Sequence, residues 1–288
     1  MDWVLRNLKS ALLCGWLMVI VLQLSPAACP GADPVPAERS RASLFFHVVR
    51  EGKAGEVQKL IESGVDVNVR DGDKWTPLQW AAERNQLAVM RLLIKAGADV
   101  KAEHYLQGTA LHIAAIRCPA EALRDLIKAG ADVNSASSVY GPTALHCAAE
   151  YNNAANVKVL IDAGATIDSG RMTALTAACR NAQGDNTAAI QMLIEAGANL
   201  DPPGNSPLHW VRSPLVAKLL IDAGADVNHR NELGESPLHL APGRHWGPRA
   251  PEFHLLIAAG AEINARDKTR STPLHRAVMC ELPEVVQV

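Results

Sequence analysis

The sequence predicts an all-α fold: a solenoid of stacked antiparallel helix pairs with projecting hairpin or finger loops. Two recurring blocks predict it. A [TS]-[PA]-L block begins at Thr76, Thr109, Thr143, Thr173, Ser206, Ser236 and Thr272. A second block, often Leu-Ile-x-Ala-Gly-Ala, is centred on Gly64, Gly97, Gly130, Gly164, Gly197, Gly224 and Gly260. Most of these glycines are 33 or 34 residues apart, a spacing typical of repeat architectures.

The composition fits such an array and excludes several other classes of protein. The 288 residues are 48% hydrophobic and 20% charged, with a formal net charge of −2. The chain is therefore too apolar for a disordered tail and too balanced in charge for a nucleic-acid binder. Only 4% of the residues are aromatic, so the core must consist mainly of Leu, Ile, Val and Ala. Six cysteines without a CxxC pair favour neither a disulfide scaffold nor a metal cluster.

The N-terminus is predicted to be a secretory signal peptide over residues 1–28. Arg6 and Lys9 precede an apolar run at 11–24, and small residues follow at 25–28. Two alternatives stay open: an uncleaved membrane anchor, and a lipoprotein signal in which Cys29 is lipidated. Residues 29–42 are rich in proline and predict a short solvated linker.

Each unit is predicted to contain two helices, and the two blocks mark where they begin and end. A Thr or Ser hydroxyl can cap the first free N–H of a helix, and proline suits the first helical position. The Leu-Ile stretch before each glycine supplies the buried stripe of the second helix. Glycine then ends that helix, because a left-handed C-cap costs it no Cβ clash. The polar segment before the next Thr or Ser forms a loop.

With its T-P-L-H-x-A block and its period near 33, the chain from about residue 43 to 288 resembles the ankyrin repeat family. The resemblance implies stacked helix pairs with loop fingers projecting at roughly right angles. It predicts seven complete units and a partial eighth, near 43–75, 76–108, 109–142, 143–172, 173–205, 206–235, 236–271 and 272–288.

Two consecutive units depart from the pattern. About six residues of the usual length are missing between Trp210 and Leu219, so Ser213-Pro214 restarts the second helix at once. In the next unit, Pro242-Gly243 ends the first helix early, and an atypical loop over 242–251 replaces its last turn.

No residue is predicted to be catalytic or to bind a cofactor or a metal. Five histidines share one repeat slot, His112, His146, His209, His239 and His275. The resemblance implies that these rings bond loop backbone between units. Cys147 follows His146 directly, but adjacent helical residues point about 100° apart, which argues against a nucleophile pair.

Partner-binding residues are predicted at positions that the repeat leaves free. The resemblance implies that the residue after the histidine slot faces a concave groove, and large apolar groups exposed there would mark a contact surface. The alternative interpretation is that these side chains only cover neighbouring helices. The predicted set is Trp75, Trp80, Glu83, Tyr105, Ile113, Ile116, Tyr140, Trp210, Leu240, Arg244, Trp246 and Arg276.

We therefore expect an exported, periplasmic or secreted, non-enzymatic module that binds a protein partner, and not nucleic acid, through the concave groove and the finger loops of the array. It is expected to be a monomer, attached to a membrane only if the N-terminal segment or a lipidated Cys29 is retained. Two other hypotheses stay open. One is a small-molecule-binding or enzymatic role around the loop 242–251, and the other is a membrane-tethered structural spacer.

Overall fold

A computed structural model describes residues 36–137, 141–170, 172–180, 186–241 and 250–279. The chain divides into two units, residues 1–38 and 39–288. The predicted signal peptide, Cys29 and the end of the partial eighth repeat lie outside the described residues. Within the described ranges, no helix is long and apolar enough to cross a membrane.

The regular elements of the described residues are fifteen helices, which confirms the all-α prediction. They follow one another in pairs. The pairs are α1 Pro36–Glu51 and α2 Ala54–Glu62, α3 Pro77–Glu83 and α4 Leu87–Lys95, α5 Ala110–Arg117 and α6 Ala120–Lys128, α7 Ala144–Glu150 and α8 Ala154–Asp162, α9 Ala174–Arg180 and α10 Thr187–Glu195, α11 Pro207–Trp210 and α12 Pro214–Asp222, α13 Pro237–Leu240 and α14 Ala250–Ala258. A single helix, α15 Pro273–Met279, follows them.

The first helix begins earlier than the sequence suggests. Helix α1 starts at Pro36, inside the segment 29–42 for which we predict a solvated linker. A proline at the first helical position followed by Ala, Glu and Arg favours helix, and this local preference competes with the proline-rich composition of the segment.

The predicted helix signals form as expected. The amide of Gln79 donates to the Thr76 hydroxyl over 3.2 Å, which caps α3, and Pro77 occupies its first position. At the end of α4, Gly97 has a φ of 85° and the next amide, of Ala98, donates to the carbonyl of Leu93. This is the left-handed termination that glycine adopts without strain.

The repeated histidines connect neighbouring units. The Nδ1 atom of His146 accepts the amide of Thr143, and its Nε2 atom lies 2.7 Å from the carbonyl oxygen of Met172 in the next loop. The Nε2 atom of His209 lies 3.0 Å from the carbonyl oxygen of Glu235. The rings of His146 and His209 therefore join a helix start to the following loop, as the resemblance implies.

One unit uses glutamine in place of this histidine. The Oε1 atom of Gln79 accepts the amide of Thr76, and its Nε2 atom donates to the carbonyls of Ala102 and Gly108. Gln79 thus makes the same two connections without a titratable ring. In the unit that begins at Thr173 the slot holds Thr176, whose hydroxyl contacts only the capping Thr173 among the described residues.

The two irregular units interrupt the core. Helices α11 and α13 contain four residues each, whereas α3, α7 and α9 contain seven. Helix α12 begins at Pro214, as the sequence predicts. Within the described residues, one buried apolar cluster extends from Phe45 to Ala225, and a smaller one contains Leu238, Phe253 and four further side chains. The break falls between the two irregular units.

Candidate protein-interaction surface

In four fingers that are described from their first to their fifth residue, the same backbone bond joins the two ends. We name them finger A (71–75), finger B (104–108), finger C (231–235) and finger D (267–271). In each, the amide of the first residue donates to the carbonyl of the fifth, over 2.9 to 3.0 Å. The fingers therefore have fixed backbones rather than free loops.

Side-chain acceptors fix fingers A, C and D further. In finger A, the Oδ1 atom of Asp71 accepts the amides of Asp73 and Trp75 over 3.0 Å. Asn231 in finger C and Asp267 in finger D accept the equivalent pairs of amides. In an Asx-turn, a side-chain oxygen of Asp or Asn accepts the backbone N–H group two residues further on, as it does in these three fingers.

Finger B uses a histidine at the same place. The Nδ1 atom of His104 lies 3.3 Å from the amide nitrogen of Leu106 and 3.2 Å from that of Gln107, and both amides donate to it. Its Nε2 atom lies 3.1 Å from the carbonyl oxygen of Asp73 in finger A. Burial lowers the pKa of His104, although the Asp73 carbonyl and the nearby carboxylates of Asp71 and Asp73 act in the opposite direction.

An aromatic row extends from helix α3 to the tip of finger B. Ring centroids are 4.8 Å apart between Trp80 and Trp75, 5.1 Å between Trp75 and His104, and 4.6 Å between His104 and Tyr105. The outer end of the row is open: Tyr105 is 72% exposed and the adjacent Leu106 is 66% exposed. The row thus ends in an apolar tip in contact with solvent.

Trp80, predicted to be a groove anchor, is almost fully buried, with 8% of its surface exposed. Its Nε1–H donates to the Oδ2 atom of Asp71 over 2.7 Å, and the guanidinium of Arg50 lies 4.0 Å above its ring. Arg50 also bonds that carboxylate over 2.7 Å. The indole therefore offers little surface to a partner and instead supports the base of finger A.

The other predicted apolar positions divide between the interior and the surface. Ile113 is 2% exposed and belongs to the core. Ile116, Trp210 and Leu240 are half-buried. The guanidinium of Arg180 lies 6.0 Å from the centroid of the Trp210 ring, so a charged group stands over this half-buried indole.

Glu83 and Arg276, the predicted charged residues that the structure describes, are engaged in ion pairs. Glu83 lies 3.4 Å from Arg117. Arg276 lies 2.7 Å from Glu235 and 2.9 Å from Asp267, and so connects fingers C and D. Burial would raise the pKa of Asp267, but its hydrogen bonds, one of them from Arg276, outweigh burial and hold the pKa below its usual range. Glu83 therefore joins two helices, whereas Arg276 holds fingers C and D in place.

Two surface residues escaped the sequence analysis, and three predicted ones lie outside the described residues. Leu106 and Leu233 are 66% and 61% exposed on the tips of fingers B and C. In the sequence, the only indication of this exposure was a leucine within an otherwise polar finger. Tyr140, Arg244 and Trp246 fall outside the described residues, as does most of the atypical loop 242–251.

Two of the described cysteines are poor nucleophiles, and the described acids form no metal-binding group. Cys118 and Cys179 are buried, and burial raises the pKa of the Cys118 thiol to about 12. Such a thiol is almost never a thiolate at neutral pH, and the thiolate is the nucleophile. Across the residues that the structure covers, no three His, Cys, Asp or Glu side chains are grouped to hold a metal ion.

Comparison with known proteins agrees with the fold. A family model described as ankyrin repeats, in three copies, matches residues 45–137, 120–203, 145–231 and 208–288. No curated protein matches the chain. Among solved structures, the ankyrin repeat domain of human ASB11 is 23% identical with a TM-score of 0.66, which shows the fold alone. The ankyrin repeat domain of Bcl-3, a member of the IkappaB protein family, is 29% identical with a TM-score of 0.60. Each comparison covers 76% of this chain and 98% of the other.

Proposed function

Since the chain belongs to the ankyrin repeat family, we propose that it is an exported, non-enzymatic module that binds a partner protein through its finger tips. Ankyrin repeat domains are typically protein–protein interaction modules, and the matching family is not a catalytic one. The proposal adds to this the surface that makes the contact, the absence of enzymatic activity in this chain, and its export.

The observation that carries the proposal is the apolar tip of finger B. Tyr105 and Leu106 are exposed by about seven-tenths and two-thirds of their surface, although they are the kind of side chains that folding normally buries. Their backbone is fixed by the paired bonds of His104 and Gly108. A fixed apolar tip loses little conformational entropy on binding, so more of its buried area contributes to affinity.

The aromatic row behind the tip supports the same interpretation. Trp75 and His104 lie between the buried Trp80 and the exposed Tyr105, so that the Tyr105 ring rests against the His104 ring. Tyr is among the residues most often found as interface anchors, because it combines a large apolar ring with a polar end. Trp80 itself serves as support and not as a contact.

Export rests on the sequence of the first 28 residues. Arg6 and Lys9 before the apolar run at 11–24 have the order of a signal peptide. We therefore expect the partner protein to be in the periplasm or outside the cell. We expect the repeat domain to be a monomer there.

The experiment compares how alanine substitution affects partner binding at two leucines of similar exposure, one on finger B and one on a helix. Leu106 lies on finger B, and Leu215 is the second residue of helix α12, with 57% of its surface exposed. After affinity capture of the mature chain and identification of the captured protein, the dissociation constant is measured with purified components. Tyr105→Ala and Leu106→Ala should each weaken binding about tenfold or more at an unchanged melting temperature, whereas Leu215→Ala should not. Equal affinities for all three variants would reject the finger B surface.

A further inference from the structure

The side-chain acceptor that shapes fingers A to D is a carboxylate or a non-titrating amide in three cases and an imidazole in the fourth. Asp71, Asn231 and Asp267 accept backbone amides in fingers A, C and D through oxygen atoms. In finger B the acceptor is the Nδ1 atom of His104. Among these four side chains, imidazole alone gains a proton near neutral pH.

The bonding of finger B admits only one form of this ring. Nδ1 accepts amides of Leu106 and Gln107, so it can carry no proton. The proton must then be on Nε2, which donates to the carbonyl of Asp73 in finger A. If Nδ1 also carried a proton, it would become a donor and could no longer accept these amides. Its N–H group would then point at the N–H groups of Leu106 and Gln107.

We propose that His104 makes finger B sensitive to acid: protonation at Nδ1 releases the amides of Leu106 and Gln107 and loosens the tip that carries Tyr105. The consequence for partner binding rests on the proposed function, because it requires that tip to be a contact. The loosening of finger B itself does not depend on the proposed function.

The groups that face His104 set the direction of the effect. From finger A, the carboxylates of Asp71 and Asp73 favour the protonated ring, and the preceding Arg70 opposes it. On the ring's own finger, the neighbouring side chain is Tyr105. Burial outweighs these charges, so the pKa of His104 lies below its ordinary value. The neutral ring shapes the finger at and above neutral pH, and the shape is lost as the pH falls through this lowered pKa.

A conservative variant separates the proposal from a merely structural role. Asn231 shows that an asparagine can shape a finger: it accepts the amides two and four residues on, where His104 accepts those two and three residues on. His104→Asn should therefore keep an acceptor for the backbone amides at all pH values and remove the titration. In His104→Ala the acceptor is lost, so the finger should be loose at neutral pH already.

The measurement is an NMR titration of backbone amides in the folded chain. The amides of Leu106 and Gln107 should shift and lose protection from solvent with one midpoint below pH 6.5, and that midpoint should match the His104 ring carbons. The amides of Glu235 and Thr269 in fingers C and D lie away from His104, report on the rest of the array and should not follow that midpoint. In His104→Asn the transition should be absent. The proposal is overturned if the ring titrates while both amides stay protected, or if His104→Asn keeps the transition.

A binding measurement then distinguishes this proposal from the proposed function. With the purified partner, wild-type affinity should fall about tenfold or more on acidification through the His104 midpoint, while the affinity of His104→Asn should not. If Tyr105→Ala binds as wild type does, the proposed contact is wrong, yet the amide titration still decides whether finger B responds to acid.

Discussion

The indole Nε1–H of Trp80 donates to the Oδ2 atom of Asp71 over 2.7 Å, and so attaches helix α3 to the base of finger A. The same carboxylate accepts from Arg50 at the end of helix α1. The two bonds join helix α1, finger A and helix α3 at one acid. This arrangement gives Trp80 a role in stability where the sequence had indicated a binding anchor.

Trp80→Ala should lower the free energy of unfolding by about 3 kcal/mol or more, because it removes a buried aromatic ring. Trp80→Phe keeps most of the ring and loses the N–H bond to a charged acceptor, which costs roughly 2 kcal/mol. Urea unfolding measures both values. Trp210→Ala, at a half-buried ring, is the comparison and should cost less. A normal unfolding midpoint for Trp80→Ala together with lost partner binding would restore Trp80 as an anchor.

Acid should destabilise the array through its buried histidines. Burial lowers the pKa of His112 and of His209 to about 4, and lowers the pKa of His146 as well. Because the folded-state pKa lies below the unfolded value near 6.5, stability is complete above about pH 6.5 and is lost as the pH falls towards 4. Each ring with a pKa of about 4 should cost roughly 2 kcal/mol between pH 8 and pH 5.

His209→Gln is the matched variant for this titration. Gln79 already makes the equivalent bonds in another unit, so glutamine should preserve the connection and remove the proton uptake. Urea unfolding at several pH values should show a shallower loss of stability on acidification for His209→Gln than for wild type. Identical pH profiles would mean that His209 takes up its proton equally in both states.

The irregular units should be the weakest part of the array. Helices α11 and α13 are a turn shorter than their counterparts, and the buried core divides after Ala225. In a repeat array each interface contributes separately to stability, so opening should begin where the interface is smallest. Amide hydrogen exchange should show residues after about Ser206 opening before the units from Trp75 to Gly197. Uniform protection from one end to the other would contradict this expectation.

Export predicts a processed N-terminus. Peptide sequencing of the mature protein should begin near Ala28, or at a lipid-modified Cys29 if the lipoprotein alternative holds. Fractionation of the source cells should place the processed chain outside the cytosol. A cytosolic protein that retains Met1 would contradict export.

The parts of the fold that could be predicted from sequence depend on local chemistry. A hydroxyl before a proline marks the start of α3 at Thr76, and a glycine with positive φ marks the end of α4 at Gly97. Both signals act within a few residues, so they can be recognised without any tertiary contact. The early start of α1 at Pro36 was missed because proline-rich composition and helix propensity point in opposite directions there.

The candidate site was harder to predict because exposure depends on distant residues. Trp80 is covered by Arg50 from the preceding unit, and Ile113 is buried, so neither presents the surface expected from its repeat position. Conversely, an apolar residue in a finger is expected to be buried, but Leu106 and Leu233 are exposed. The sequence did not indicate that His104 accepts backbone amides of its finger, because Asp or Asn is the acceptor in fingers A, C and D.

Site-specific photocrosslinking tests the central claim, that finger B contacts a partner protein, most directly. A photoreactive phenylalanine derivative replaces Tyr105 in one variant and Leu215, an exposed residue of helix α12, in the other. With both variants produced in the native compartment, the account predicts one crosslinked protein of defined mass from position 105 and none from position 215. The same crosslinks from both positions, or a defined product from position 215 alone, would contradict it.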